Sequence, residues 1–340
     1  MQQFRVAISG FGSIGRQVAS LLVERRAHYR QRYGVDVRLV AACGSRQGAV
    51  ADDGLTVDNY EALAQDGLTG EAWLAQARAN VLIEASPTDF TTGGAGLGYL
   101  RAALSGGCHG ISISKGALVV AYPELAALAK AHHCFLGISG ATAAALPTLD
   151  LLRYNLAGCQ IERLEGILTA TSNFVLSKMM ESMALEEAIS LAQQLGMAEP
   201  DPRFDLEGWD TACKTLILAN AGMNAGLTLA DVSVQGLMGT TPAMIRQWQQ
   251  ASLVPKLVGI IEKSADSQAA CARVELALYP QDHPFALVGA GMKAVSVTTD
   301  TMGEVQAMAR TSPMATAAAA LKDLEHLLMS QTTPVSTSFA

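Results

Sequence analysis

Aromatic residues, charges and closely spaced cysteines are all scarce in this chain of 340 residues. Phe, Trp and Tyr make up 5% of the sequence and charged residues 16%, whereas hydrophobic residues make up 50%. So few aromatic residues, with Ala and Gly heavily used, favour close packing of helices on a sheet over an aromatic-rich β-sandwich. The length is sufficient for two domains that each bury a core.

Basic runs, CxxC pairs and long apolar segments are missing from the sequence. The formal net charge of -7 argues against nucleic acid and anionic membranes as partners. Six scattered cysteines predict neither a disulfide framework nor a zinc site. The longest uncharged stretch, residues 134–149, is broken by Gly, Ser, Thr and Pro and is a poor membrane span. The chain starts directly in a strand with no apolar leader, so a cytoplasmic protein is expected.

The start of the chain has the pattern of a dinucleotide-binding turn. Residues 5–9 predict a short buried strand, and residues 16–26 carry apolar side chains at helical spacing. Between them lies Gly-x-Gly-x-x-Gly, formed by Gly10, Gly12 and Gly15. The first glycine permits the tight turn, the second lets the backbone approach a pyrophosphate, and the third lets the helix pack on the strand. The sequence therefore predicts dinucleotide binding at the helix N-terminus.

The next predicted strand, residues 37–42, ends without the acidic residue that NAD-binding proteins usually carry. Cys43-Gly44-Ser45-Arg46 follows it instead. A missing carboxylate together with an arginine suits a ribose 2′-phosphate, so NADP(H) is the preferred cofactor. Arg46 could instead be a solvated loop residue, which leaves NAD(H) or dual use open.

The remaining elements of the first domain place further polar residues at the ligand crevice. Loops at the carboxyl ends of strands line the crevice of a doubly wound sheet. Ser86-Pro87-Thr88 and Lys115 each follow a predicted strand, although Lys115 could also be an ordinary surface lysine. The predicted strands are residues 81–85, 109–114 and 134–138, and the predicted helices are residues 97–104 and 123–132.

From about residue 149 the pattern changes to a mixture of helices and alternating strands. The apolar and polar residues between 254 and 297 alternate over several short runs, which is typical of strands in a second, mixed sheet. The other predicted elements are a strand at residues 161–169, a polar turn at 170–174, and helices at 175–183, 185–195 and 315–329.

Residues 195–220 contain the strongest candidate for a catalytic site. Asp210 and Lys214 are spaced i,i+4 on a predicted helix, so they share one helical face. Such a pair is often an ordinary surface ion pair, but the helix continues as an almost wholly apolar segment and is expected to be buried. A buried lysine needs a paired charge or a ligand. The preceding loop adds further carboxylates, namely Glu199, Asp201, Asp205 and Glu207.

A nicotinamide domain followed by a lysine and carboxylate cluster favours hydride transfer. Reduction of a carbonyl needs a proton donor and positive charge near the developing alkoxide, and a lysine supplies both. Neighbouring carboxylates can hold an ammonium group. The residues alone thus predict a dehydrogenase that acts on a small amino acid.

These motifs together resemble the homoserine dehydrogenase family over nearly the whole chain. The resemblance implies reversible reduction of L-aspartate 4-semialdehyde to L-homoserine with NAD(P)H, on the branch to threonine and methionine. The segments that carry it are GFGSIG at residues 10–15, ISKGAL at 113–118, TATSNFVLSKM at 169–179, LGMAEPDPRFDLEGWDTACKTLILA at 195–219, Asp282-His283-Pro284-Phe285, and Thr316.

The resemblance also implies a role for each candidate residue. Lys214 would be the general acid/base, Lys115 would position and polarise the reacting oxygen, and Asp210 would orient Lys214. The implied substrate-binding residues are Glu199, Asp205 and Thr171. The implied cofactor-binding residues are Gly10, Gly12, Ser13, Ile14 and Gly15 at the pyrophosphate, Ser45 and Arg46 at the adenosine phosphate, Ser86, Pro87 and Thr88 near the nicotinamide ribose, and Ser114.

Several positions depart from the family pattern. Ser114 replaces an Asn, Ala170 a Gly and Met197 an aromatic residue, while residues 140–147 replace a Gly-rich loop that binds a monovalent cation in relatives. The cation requirement and any metal site are therefore left unassigned. A related NAD(P)-dependent amino-acid dehydrogenase with another substrate, and a non-catalytic dinucleotide-binding sensor, are the alternative functions.

The predicted fold class is α/β, with a Rossmann-like dinucleotide-binding domain and an α+β catalytic and dimerisation domain with a mixed sheet. The first domain spans residues 1–148 and is rejoined by the helix at 313–330. The second spans residues 149–312, and residues 331–340 form a flexible tail. A homodimer of the short form, without a regulatory amino-acid-binding domain, is expected from the family resemblance.

Overall fold

The computed structural model describes residues 1–263, 269–310, 312 and 314–331. Contacts divide the chain into two compact units, namely unit 1, residues 1–144 with the described residues after 312, and unit 2, residues 145–312. The domain boundaries expected from the sequence lie after residues 148 and 312. Of the predicted flexible tail, Gln331 ends the last helix, and residues 332–340 lie outside the described residues.

Strands and helices alternate along the first part of unit 1, as expected for a dinucleotide-binding fold. Two short antiparallel strands, Gln47–Val50 and Gln65–Asp66, were not predicted because their sequences are too short and polar to show a strand period. The elements are β1 (Gln2–Ser9), α1 (Ser13–Tyr33), β2 (Val35–Cys43), β3 (Gln47–Val50), α2 (Val57–Leu63), β4 (Gln65–Asp66), α3 (Gly70–Ala77), β5 (Val81–Glu84), α4 (Gly94–Ser105), β6 (His109–Ser112), α5 (Gly116–Ala131), β7 (Leu136–Gly137) and a 3-10 turn at Ser139–Ala141.

The sheet of unit 1 has seven strands in the order β4-β3-β2-β1-β5-β6-β7. Strands β2, β1, β5, β6 and β7 pair in parallel, whereas β3 and β4 extend the sheet by antiparallel pairs. This arrangement confirms the predicted Rossmann-like domain. It also brings the carboxyl ends of β1, β2, β5 and β6 to one edge of the sheet, where the ligand crevice of such a fold lies.

Helices cover both faces of this sheet, which explains the nearly continuous apolar runs of its strands. Val6 of β1 packs with Val18 of α1 on one face. The next residue, Ala7, points to the other face and packs with Trp73 of α3. The alternation fixes the register, since a one-residue slip would exchange the two faces.

A buried carboxylate joins α1 to the amino end of β2. Asp36 accepts hydrogen bonds from Arg26, Arg30 and Arg38, each with a shortest distance of 2.7 Å. Hydrogen bonding from Arg26 leads the causes that hold the pKa of Asp36 well below its usual range. This cluster lies at the end of β2 opposite the crevice and therefore stabilises the fold rather than the site.

The helix predicted at residues 123–132 begins earlier, at Gly116. Pro123 indicates a helix start because proline is favoured in the first turn. In the structure α5 runs across a kink at Ala121, whose φ of -144° and ψ of 27° are not helical. The helix predicted to begin at the proline is therefore the second half of a longer, kinked helix.

Unit 2 combines a sheet with a layer of helices. Its elements are α6 (Thr148–Asp150), a π-helical segment at Leu151–Asn155, β8 (Ile161–Ile167), α7 (Ala170–Met180), α8 (Leu185–Gln194), α9 (Arg203–Leu206), α10 (Trp209–Met223), a 3-10 turn at Leu229–Asp231, β9 (Ser233–Val234), α11 (Pro242–Gln250), β10 (Leu253–Lys263), β11 (Ala270–Pro280), β12 (Met292–Thr299) and β13 (Gly303–Arg310).

The sheet of unit 2 has the order β13-β12-β8-β10-β11-β9 and is mixed, as predicted. All its pairs are antiparallel except β11 with β9. Gly259 of β10 lets α10 approach closely, because a Cβ atom there would lie 1.9 Å from Thr215 Oγ1. On the opposite face, Val258 and Ile260 pack with Phe285 and Val288 of the segment before β12.

Two predictions in unit 2 differ from the structure. The predicted polar turn at residues 170–174 is wrong, because these residues form the first turns of α7, where Thr171 to Phe174 are buried. Strand β13 was not predicted, because Gly303 to Arg310 carries mostly polar and small residues. It is an edge strand with many exposed residues, so it needs few large apolar side chains.

The last helix, α12 (Ala315–Gln331), belongs to unit 1. Leu324 and Leu328 join the core that α1 forms with the sheet. Asp323 accepts a 2.8 Å hydrogen bond from the backbone N–H of Ser139 and a 2.6 Å bond from its hydroxyl. Among the residues that the structure describes, no helix is both long and apolar enough to cross a membrane.

Candidate active site

The glycine-rich turn between β1 and α1 is packed tightly against the ends of β2 and β5. Gly10 has a φ of 87°, and its N–H donates to the carbonyl oxygen of Cys43 at 2.8 Å. A Cβ atom on Gly10 would lie 2.3 Å from the Ala85 carbonyl carbon, and one on Gly15 would lie 2.1 Å from the Gly10 oxygen. These two glycines are required by the fold itself.

Gly12 differs from the other two glycines. It is the N-cap of α1, and a Cβ atom there would have no heavy atom within 4 Å. The space in front of it is therefore open to a ligand. Ser13 and Ile14 follow in the first turn of α1, whose N–H groups and dipole favour an anion.

A cavity of about 400 Å³ adjoins this turn. It brings together four of the predicted cofactor-binding residues, Gly10, Ser45, Ser86 and Pro87, and Thr88 follows in the same loop. The opposite wall comes from α3, α4 and the residues before α3, through Thr69, Gly70, Glu71, Ala95, Gly98, Tyr99 and Ala102.

A second cavity, of about 630 Å³, lies where the turn after β2 meets α1 and α2. The Arg16 guanidinium lies 5.0 Å from the centroid of the Phe11 ring, and its Nη2 is 2.5 Å from Glu61 Oε1. Exposed Arg46 also lines this cavity, together with Asp66. Arg46 alone was the basis for expecting a 2′-phosphate. The carboxylates of Glu61 and Asp66 were not predicted here, because no spacing rule connects them with the end of β2.

Glu84, the last residue of β5, was not predicted as a site residue. Its side chain is fully buried, with 0% exposure, close to the crevice. Its carboxylate accepts hydrogen bonds from Ser86 and from Ser114, the residue before Lys115. Lys115 itself is partly buried and is the N-cap residue of α5.

In unit 2, Asp210 and Lys214 form the ion pair that their i,i+4 spacing predicts. Both residues are buried, since only 8% of Lys214 and 7% of Asp210 is exposed. Lys214 Nζ also donates to the carbonyl oxygen of Leu168 at 3.0 Å. The pair is therefore a buried one, and the alternative of an ordinary surface ion pair is excluded.

Thr169 completes this cluster and was not predicted. Its hydroxyl donates to Asp210 Oδ2 at 2.8 Å and lies 3.0 Å from the hydroxyl of Thr211. The same carboxylate oxygen thus accepts hydrogen bonds from both Lys214 and Thr169. Nothing in the sequence pairs residues 169 and 210, because the contact joins the link between β8 and α7 to a helix 41 residues further along the chain.

The three predicted substrate-binding residues lie around the loop between α8 and α10. Thr171 is buried, and its hydroxyl donates to the carbonyl oxygen of Met197 at 2.9 Å. Ser172 donates to the carbonyl oxygen of Asp205 at 2.9 Å. The start of α7 therefore holds this loop at two points, while the Glu199 side chain is exposed and Asp205 is half-buried.

A second buried lysine of unit 2 lies within β10. Lys256 is 3% exposed and donates to Asn173 Oδ1 at 2.9 Å and to the carbonyl oxygen of Val288 at 2.7 Å. Asn173 in turn donates to the carbonyl oxygen of Gly289 at 2.8 Å. Burial lowers the pKa of Lys256 to about 8.

The loop at residues 140–147 adopts an unusual backbone. Ala143 and Ala144 have φ values of 85° and 53°, in the left-handed region that disfavours residues with a Cβ atom. Within the described residues, no group of three or more His, Cys, Asp or Glu side chains is arranged to hold a metal ion.

Comparisons with known proteins cover both units. The family model for homoserine dehydrogenase matches residues 147–324, and that for the homoserine dehydrogenase NAD-binding domain matches residues 10–137. The chain is 33% identical to the NAD(+)-dependent homoserine dehydrogenase of Pseudomonas canavaninivorans, over 98% of each protein. It is 30% identical to the homoserine dehydrogenase of Methanocaldococcus jannaschii, over 95% of this chain and 98% of that protein.

A solved structure gives the same result. The homoserine dehydrogenase of Thiobacillus denitrificans matches with a TM-score of 0.83 and 26% identity, over 96% of this chain and 74% of that chain. The likeness therefore extends through the fold as well as through the sequence motifs.

Proposed function

The chain belongs to the homoserine dehydrogenase family of NAD(P)-dependent oxidoreductases, and from this premise we propose that Lys214 and Lys115 perform the reversible reduction of L-aspartate 4-semialdehyde to L-homoserine. The observation that supports the proposal most strongly is the buried Lys214–Asp210 pair. A buried ammonium group is costly unless it is paired, so its retention at this position favours a functional role.

Lys214 is proposed as the general acid/base. A lysine ammonium has three N–H donors. Contacts among the described residues use two of them, one to Asp210 and one to the Leu168 carbonyl. The third is free to donate to the aldehyde oxygen, which takes the proton as it becomes a hydroxyl. In the oxidation of homoserine the same nitrogen takes the proton back.

Lys115 is proposed to polarise the reacting carbonyl. A nicotinamide bound at the crevice would supply the hydride in reduction and take it up in oxidation. The Lys115 ammonium group would then stabilise the negative charge on the carbonyl oxygen. The position of Lys115, three residues after the end of β6 and at the crevice edge of the sheet in unit 1, supports this role.

We propose that Glu199 and Asp205 hold the ammonium group of the amino acid. Both lie in the loop that Thr171 and Ser172 tie to α7. Thr171 then acts chiefly by holding Met197 in place, since its hydroxyl is already bonded to the Met197 carbonyl. In this proposal unit 2 is the substrate-binding and catalytic domain.

The cofactor-binding residues are proposed to be the glycine turn with the loops that meet it. The open space at Gly12 and the N-terminus of α1 suit a pyrophosphate. Arg46 supports NADP(H) as the preferred cofactor. Glu61 and Asp66 in the same cavity oppose a phosphate, so NAD(H) is expected to be used as well.

We further propose that the protein acts in the cytoplasm and serves threonine and methionine synthesis. We also propose that it is a homodimer joined through the sheet of unit 2. Edge strand β13 supports the dimer, because Met308 within it is 57% exposed. Light scattering on the purified protein tests the assembly. A mass of one chain at micromolar concentration would contradict it.

The enzymatic proposal is tested with purified protein, homoserine and either NADP+ or NAD+. Formation of the reduced nicotinamide is expected, and aspartate 4-semialdehyde with NADPH should run the reaction in the other direction. A panel of other small amino acids tests whether Ala170 and Met197 have shifted the substrate. Homoserine ranking below another amino acid, or no turnover at any pH, would contradict the proposal.

A further inference from the structure

The carboxylate of Glu84 is buried at the crevice edge of unit 1 without a cationic partner among the residues that the structure describes. Its Oε1 accepts from the Ser86 N–H at 2.8 Å and from the Ser86 hydroxyl. Its Oε2 accepts from the hydroxyls of Ser114 at 2.6 Å and Ser112 at 3.1 Å. The single hydrogen of the Ser112 hydroxyl is shared with the Ser114 carbonyl oxygen, which lies 3.0 Å from it. Three donors, two on Ser86 and one on Ser114, therefore serve this carboxylate alone, and its exposure is 0%.

These donors come from two different loops at the carboxyl ends of neighbouring strands. Ser86 is the second residue after β5, Ser112 is the last residue of β6, and Ser114 lies two residues further on. Helix α4 lies directly above the carboxylate, because a Cβ atom on Gly96 would be 2.7 Å from Glu84 Oε1. One side chain therefore joins β5, β6 and α4 at a single point.

The two loops are those that the proposed function assigns to the cofactor and to Lys115. Gly10 of the pyrophosphate turn is in contact with Ala85 and Ser86, as its close Cβ approach shows. Ser114 is covalently joined to Lys115. A shift of the Ser86 hydroxyl would consequently move the loop that touches Gly10, and a shift of the Ser114 hydroxyl would move the backbone that carries Lys115.

We propose that Glu84 is a positioning residue, which fixes the Ser86 loop against the dinucleotide and fixes Lys115 against the reacting oxygen. Hydrogen bonds to an ionised acceptor are about twice as strong as neutral ones. A carboxylate that receives three of them, with a fourth shared by Ser112, restricts the serine rotamers more tightly than a carboxamide can. The inference rests on the proposed function only for its second part, because the first part concerns dinucleotide binding alone.

The test compares Glu84→Gln with Asp36→Asn in the full-length protein. Glu84→Gln keeps the volume but replaces one acceptor oxygen with an N–H donor, so the serine hydroxyls that donate to that oxygen must reverse or break their hydrogen bonds. Asp36→Asn is the matched control, since Asp36 is also a buried carboxylate of unit 1 but lies at the opposite end of the sheet. Direct fluorescence titration with NADPH measures dinucleotide affinity without any substrate.

We expect Glu84→Gln to raise the NADPH dissociation constant about tenfold and to lower kcat about tenfold, since the loss of one charge-assisted bond has this size. Asp36→Asn should lower the melting temperature but leave both constants within about twofold of the wild type. Equal losses in the two variants, or wild-type binding and kcat in Glu84→Gln, would overturn the proposal.

A double-variant cycle separates positioning of Lys115 from a purely structural role. In a Lys115→Met background, Glu84→Gln should cost little further kcat, because the residue through which it acts is already gone. A full additional loss of about tenfold would overturn that part of the proposal. If Glu84→Gln does not fold, Ser114→Ala removes a single donor and should lower kcat about threefold, whereas an unchanged kcat would count against it.

The two proposals fail in distinguishable ways. A wild-type protein that binds NADPH but does not oxidise homoserine would contradict the proposed reaction and leave the NADPH titration of Glu84→Gln fully informative. If the wild type oxidises homoserine and Glu84→Gln has the same NADPH dissociation constant and kcat as the wild type, only the role of Glu84 is contradicted.

Discussion

Lys214 donates to the carbonyl oxygen of Leu168 at 3.0 Å, so the amine is held from outside its own helix as well as by Asp210 within it. Leu168 follows the last residue of β8, and Lys214 lies in the middle of α10. The ammonium group is thereby fixed between a strand end and a helix rather than on a flexible stem. Removing one partner of such a buried pair leaves an uncompensated charge, which typically costs about 3–5 kcal/mol.

Thr169 should matter for activity because its hydroxyl donates to the same Asp210 oxygen as Lys214. Thr169→Val keeps the shape but removes the donor, and we expect kcat to fall at least about tenfold. Thr169→Ser retains the hydroxyl and should stay within about threefold of the wild type. Steady-state kinetics on both variants checks this, and equal activity of the valine variant would show that Asp210 needs no such partner.

Gly10 and Gly12 should respond differently to alanine. Gly10→Ala places a Cβ atom 2.3 Å from backbone, so we expect the free energy of unfolding to fall by more than about 2 kcal/mol. Gly12→Ala meets nothing within 4 Å and should change stability by less than about 1 kcal/mol while weakening dinucleotide binding at least about tenfold. Denaturant unfolding and NADPH titration measure the two effects. Tight NADPH binding by Gly12→Ala would exclude this turn as the pyrophosphate site.

The cavity after β2 should set the choice between NADP(H) and NAD(H). Arg46→Ala removes the exposed cation and should lower kcat/KM for NADP+ about tenfold with little change for NAD+. Glu61→Gln removes the charge that pairs with Arg16 and should raise kcat/KM for NADP+. The ratio of kcat/KM for the two cofactors is the measurement. Parallel changes with both cofactors would place the ribose elsewhere.

Lys256 should make stability depend on pH in the alkaline range. Its pKa is 10.5 as a free side chain and about 8 when buried in the folded protein, so the unfolded chain binds the proton more tightly. The free energy of unfolding should therefore rise between about pH 8 and pH 10.5, by up to about 3 kcal/mol, and this contribution is lost as the pH falls through 8.

Lys256→Met should flatten that rise, whereas Lys263→Met, at the half-exposed end of the same strand, should retain it. Urea unfolding at a series of pH values gives the slopes. An identical slope in Lys256→Met and the wild type would mean that the lysine is not protonated differently in the two states.

Local features of the site were predictable from the sequence. The glycine turn requires only a strand, three glycines and a helix within about a dozen residues, so its geometry follows from backbone sterics. The Asp210–Lys214 pair was predictable because helical spacing alone places the two side chains together. The family resemblance then supplied the reaction, and the comparisons confirm the family.

Features that depend on packing between distant segments were not predictable. Glu84 looks like one residue of an apolar strand, and its serine partners lie up to 30 residues away. Thr169 contacts Asp210 across 41 residues. The predicted start of α7 lies five residues after the observed one. The buried polar side chains of its first turns are satisfied by tertiary contacts, such as that of Asn173 with Lys256, which no local pattern reveals.

The most direct test of the central claim is the rate of homoserine oxidation by Lys214→Met, with NADPH affinity measured on the same preparation. We expect kcat to fall by at least about 10³-fold while the NADPH dissociation constant stays within about threefold of the wild type, because the lysine is proposed to move the proton and lies in unit 2, outside the unit that carries the glycine turn. A folded Lys214→Met protein that oxidises homoserine at the wild-type rate would contradict the account.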